Sequence, residues 1–68
     1  MNQDAFQHSI RKLLKTVGVT TQQRIEQAVQ EALDEGRLQG DESLPASVRV
    51  QVNGLDLDLT FEEDITLE

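Results

Sequence analysis

The sequence predicts an α+β fold: an N-terminal helical hairpin of two helices packed on one face of a small antiparallel sheet, in the order ααββ(β). Three observations lead there. Apolar residues recur at helical spacing on either side of Gly18, they alternate with polar residues in the last third, and Asn53-Gly54 sits at the centre of that alternation.

The first helix is expected over about 3–17. Phe6, Ile10, Leu13, Leu14 and Val17 share one face of a 3.6-residue helix. Asn2 can cap its start, and Gly18 stands where a left-handed residue would end it. Thr20 then opens a second helix, about 21–35, with Gln23 three residues on completing a capping-box pattern and Thr21 as the alternative cap. Its apolar face is Ile25, Ala28, Val29, Ala32 and Leu33, and Gly36 stops it.

Residues 36–45 read as an ordered loop, with Leu38 and Leu44 turned back to cover the edge of the core. A hairpin follows over about 46–61. With Asn53-Gly54 as a two-residue type I′ turn, Val52 faces Leu55, Val50 faces Leu57, Val48 faces Leu59 and Ala46 faces Phe61. The intervening pairs are polar and include Arg49 opposite Asp58, a cross-strand ion pair. Residues 62–68, with Ile65 and Leu67 alternating, form a short third strand or a tail. The first strand carries only Arg49 as a charged guard, so its edge is where a dimer contact or docking partner is expected.

The chain has 68 residues, 37% of them hydrophobic, with a formal charge of −7. That is one domain, 1–68, and a small one. A chain of this size buries only about 60% of the surface its unfolded form exposes. Disulfides and thiolate metal sites are excluded because there is no cysteine, and one histidine makes a zinc site hard to assemble. Association with a protein, itself or another, is the expected supplement, and a homodimer is one form of it. No apolar run exceeds two residues, so no membrane span is expected. The polar start, Met1 to Phe6, lacks the apolar core of a signal peptide, and the expected location is the cytoplasm.

Charge is unevenly distributed. Met1 to Arg24 carries four bases and one acid, a net of +3; Ile25 to Glu68 carries two bases and twelve acids, a net of −10. Arg11, Lys12 and Lys15 make a small basic cluster on the first helix, and with Arg49 they are the candidate interaction residues.

No catalytic or cofactor-binding set emerges. An EF-hand loop begun at Asp56 would put Phe61 at position six and Leu67 at position twelve, where glycine and glutamate are needed. Asp56 and Asp58 alternate with leucines, as on the solvent face of a strand. His8 shares its helical face with Asp4, Arg11, Lys12 and Lys15, and reads as a surface histidine. None of the four glycines forms a phosphate-binding loop. The reading is therefore a non-enzymatic interaction module without metal or cofactor. The alternative is a nucleic-acid-associated regulator, with the helical hairpin as a helix-turn-helix and the strands as a wing. The acidic residues Glu26, Glu31, Asp34 and Glu35 on its recognition helix disfavour it.

The stretches Ile10-Arg11-Lys12-Leu13-Leu14-Lys15, Val17-Gly18-Val19-Thr20, Ile25-Glu26 and Ala28-Val29 resemble a family of short, largely proteobacterial proteins catalogued as a domain of unknown function. Phe6, Gly36, Leu38, Gly40 and Leu44-Pro45-Ala46 fit the same pattern, which weakens after Asn53. The resemblance implies a bacterial origin and a domain that makes up the whole protein. It assigns no catalytic or binding residue.

Overall fold

The computed structural model describes all residues, Met1–Glu68. It contains one helix, α1 (Gln3–Asp34), and two strands, β1 (Ser43–Gln51) and β2 (Asp58–Thr66). The chain divides into two compact units, Met1–Arg37 and Leu38–Glu68.

In the first unit the expected pair of helices is a single helix of 32 residues. Its start is as the sequence implies: the Asn2 side chain accepts the Ala5 N–H at 3.1 Å. Gly18 does not end it, and is absent from the glycines with positive φ, which are Gly36, Gly40 and Gly54. Thr20 and Thr21 lie inside the helix rather than capping a second one.

The reason is energetic and is visible in the apolar stripe. A glycine in a helix interior costs about 1 kcal/mol relative to alanine, whereas a break would forfeit several backbone hydrogen bonds. Nor does a break correct any phase error. Val17, Thr21 and Ile25 follow at four-residue steps, so the stripe runs through Gly18 without changing face. Phe6, Val17 and Ala28 are eleven residues apart, as are Leu14 and Ile25. That spacing holds a stripe nearly straight along the helix.

The true end is at Gly36, at φ +77°. The Arg37 N–H donates to the Ala32 carbonyl at 2.8 Å and the Gly36 N–H to the Leu33 carbonyl at 3.1 Å, a Schellman closure around the C-cap Glu35. Ala32, inside that closure, is the one buried hydrophobic residue of the chain.

In the second unit β1 and β2 pair antiparallel from Ser43↔Thr66 to Gln51↔Asp58. Residues 62–66 are neither a third strand nor a tail but continue β2, where Ile65 pairs with Leu44. The expected loop also ends early, since β1 begins at Ser43 and contains Pro45.

The turn stands where the sequence places it but is of another type. The Leu55 N–H reaches the Val52 carbonyl at 3.2 Å, and Gly54 has φ +87°. Asn53 does not have positive φ, which excludes type I′ and matches the type II pattern. Type II turns splay the strands of a hairpin. Pairing accordingly begins only at Gln51↔Asp58, two residues out of the expected register.

A slip of two preserves the faces, because side chains alternate with period two. Val50 now pairs with Leu59, Val48 with Phe61 and Leu44 with Ile65, while Ala46 faces Glu63. The expected register would have set Leu44 against Glu63. The slip gives the larger side chain an apolar neighbour and leaves the carboxylate beside alanine.

Pro45 fits its strand for a reason of hydrogen-bond parity. The Leu67 N–H donates to the Glu42 carbonyl at 3.0 Å, one step beyond Ser43↔Thr66. Alternation from that bonded pair turns the backbone groups of Ser43, Pro45, Ser47, Arg49 and Gln51 away from β2. Proline, which lacks an N–H, takes one of these outward positions.

Candidate interaction surfaces

The N-terminal half of α1 presents its apolar stripe to solvent. Phe6, Ile10, Leu13, Leu14 and Val17 are 41–57% exposed. Further along, Ile25, Val29 and Leu33 are half-buried. Arg11, Lys12 and Lys15 flank the exposed part. Arg11 donates to the Gln7 side chain at 3.3 Å, and none of the three forms an ion pair. The chain's two ion pairs lie elsewhere, at Arg37–Glu35 and Arg49–Asp58. His8 is exposed and forms no ion pair with Asp4, its neighbour one turn back.

The hairpin carries a second apolar surface. Val48, Leu59 and Phe61 are 44–56% exposed, with Leu44, Ala46, Val50 and Ile65 half-buried on the same face. Glu63 is the one charge in this set. The opposite face holds Arg49, which does meet Asp58, though its partner across the ladder is Thr60. The pair is diagonal and two-pronged: Arg49 Nε to Asp58 Oδ1 at 3.0 Å and an Arg49 terminal nitrogen to Asp58 Oδ2 at 2.7 Å. Arg49 is therefore committed within the hairpin, whereas Arg11, Lys12 and Lys15 have no ionic partner in the chain.

An open depression beside the strands is lined by Pro45, Ala46, Ser47, Glu62, Glu63 and Asp64. It holds three carboxylates and one hydroxyl, that of Ser47, whose partner across the ladder is Glu62. No group of three or more His, Cys, Asp or Glu side chains is arranged to hold a metal ion. No helix is long and apolar enough to cross a membrane.

Sequence reasoning missed the role of Glu42. Its carboxylate accepts the backbone N–H groups of Gln39 (2.9 and 3.1 Å), Gly40 (2.9 Å) and Asp41 (3.2 Å), fixing the turn that leads into β1. These bonds, Gln39 first and Gly40 next, hold the Glu42 carboxyl below its ordinary range. The Arg49 guanidinium does the same for Asp58. Both acids have a depressed folded pKa. Their contributions are complete above the ordinary carboxylate range and fade as pH falls through the lowered values. Glu42→Gln should therefore reduce amide-exchange protection at Gln39, Gly40 and Asp41 several-fold at neutral pH. The native protein should show the same loss only in acid. Unchanged protection in the variant would mean that the carboxylate does not hold the turn.

No curated protein and no solved structure matches the chain. The model of the family of unknown function DUF6494 matches residues 1–68. With that match spanning every residue of both surfaces, the chain belongs to the DUF6494 family.

Proposed function

We propose that this protein is a small non-enzymatic interaction module of the bacterial cytoplasm, an adaptor that works by binding other protein chains. One observation carries the reading: both units are regular secondary structure with a row of large apolar side chains open to solvent. Contiguous exposed apolar surface on ordered elements marks association surfaces. The titratable groups with displaced pKa values serve a turn and an ion pair.

The test is affinity capture from the source organism's lysate, with and without nuclease, comparing the native chain with Phe61→Asp. A stoichiometric protein retained through nuclease and lost in the variant is the expected result. A partner set that disappears with nuclease would overturn the reading.

Association with nucleic acid is the second reading, favoured by the absence of ionic partners for Arg11, Lys12 and Lys15. It no longer has a helix-turn-helix to rest on, because Gly18 makes no turn. Retention on heparin that weakens steeply with salt would support it.

A further inference from the structure

The helix stripe has an internal symmetry that selects a partner. Counted outward from position 19, apolar or small residues fall at matching steps: Val17 with Thr21, Leu13 with Ile25, Ile10 with Ala28. Three stripe pairs thus match in both directions, as a two-fold antiparallel pairing of identical helices would use, while Leu14 falls opposite Arg24. The two halves differ in size in a complementary way, since isoleucine at 10 would meet alanine at 28 and valine at 17 would meet threonine at 21.

The net charges of the two halves are opposite in sign, although Asp34 falls opposite Asp4. From Gln3 to Arg24 the helix holds four bases and one acid; from Ile25 to Asp34 it holds Glu26, Glu31 and Asp34 and no base. Lys12 and Glu26 lie equally far from position 19. A parallel pair would instead set Arg11, Lys12 and Lys15 beside their own copies. Within one chain, neither the four cations nor the three C-terminal acids of the helix form an ion pair.

We propose that two copies of this chain associate through α1 in antiparallel orientation, the basic N-terminal half of each helix lying along the acidic C-terminal half of the other. The inference rests on the interaction reading only in taking the helix stripe as a binding surface. It names the occupant of that stripe, and leaves the hairpin face for a different protein.

The cysteine-free sequence makes the test direct. Gln7→Cys and Gln22→Cys, each spin-labelled on the full chain, report the distance between identical sites in a pair. With 1.5 Å per residue and a reversal about position 19, the labels at 7 should lie about 40 Å apart and those at 22 about 20 Å apart. A parallel pair would bring both to about 20 Å and overturn the proposal. So would a single-chain mass in sedimentation at high micromolar concentration. Leu13→Glu, at a side chain 55% exposed in one chain, should convert the two-chain mass to one while helical circular dichroism persists. If the dichroism is lost as well, the label distances on the otherwise native chain still decide. A single-chain protein that captures its lysate partner would sink the pairing and leave the adaptor reading intact. A two-chain protein that captures none would do the reverse.

Discussion

Gly18→Ala should stabilise this protein by about 1 kcal/mol, and Gly18→Pro should cost about 3 kcal/mol or more. Both effects follow from one fact, that Gly18 lies in the interior of α1 without positive φ. An alanine Cβ built there meets nothing within 4 Å, so the substitution recovers helix propensity without a clash. Proline would remove an N–H and press its ring on the preceding turn. Thermal unfolding followed by circular dichroism at 222 nm reads both. The sign for alanine decides between two architectures, because a left-handed C′ glycine would be destabilised by the same methyl group. A lower melting temperature for Gly18→Ala would mean that the helix does break there.

Gly36→Val should move the other way, lowering stability by about 1–2 kcal/mol. Space is not the obstacle, since an added Cβ at Gly36 also meets nothing within 4 Å. Its φ of +77° is the obstacle, in a region that β-branched residues rarely enter. To relax, the variant must give up the bonds from Arg37 N–H to Ala32 and from Gly36 N–H to Leu33. Gly36→Asn should lose less, because asparagine tolerates the left-handed region. Chemical denaturation of the two variants side by side checks the order. Equal losses would show that something other than backbone conformation governs the site.

These two glycines show how far the fold was legible. Both stand after an apolar helical run, and a run followed by glycine is the ordinary mark of a helix end. What separates them lies beyond the local motif. After Gly18 the stripe resumes in phase through Thr21 and Ile25, and a polar threonine conceals that continuity from a count of apolar residues. After Gly36 no such continuation exists. The helix-forming segments and both true ends were readable, and the junction was not.

The hairpin has a similar lesson. Alternation identified the residues of each face, and a slip of two left those faces unchanged. Register depended on whether Asn53 would take positive φ, which Asn-Gly permits without compelling. The observed register pairs Leu44 with Ile65, residues that lie far from the turn. Of the candidate interaction residues, Arg11, Lys12 and Lys15 remain open to a partner, while Arg49 is held by Asp58. Glu42 was invisible because a carboxylate that folds back on its own backbone has no periodic signature.

The place of Pro45 in β1 bears on how this protein behaves when concentrated. A strand that joined along that margin would find one donor missing near the middle of its path, so the stack would stall after a short register. The other margin, along β2, keeps its donors but is bordered by Asp58, Glu62 and Asp64, whose charges repel an incoming copy at neutral pH. One side terminates fibril growth by covalent structure and the other by ionisation. Acid removes only the second, so edge pairing at low pH should join two β2 margins and stop at two copies, each then presenting the margin that holds Pro45.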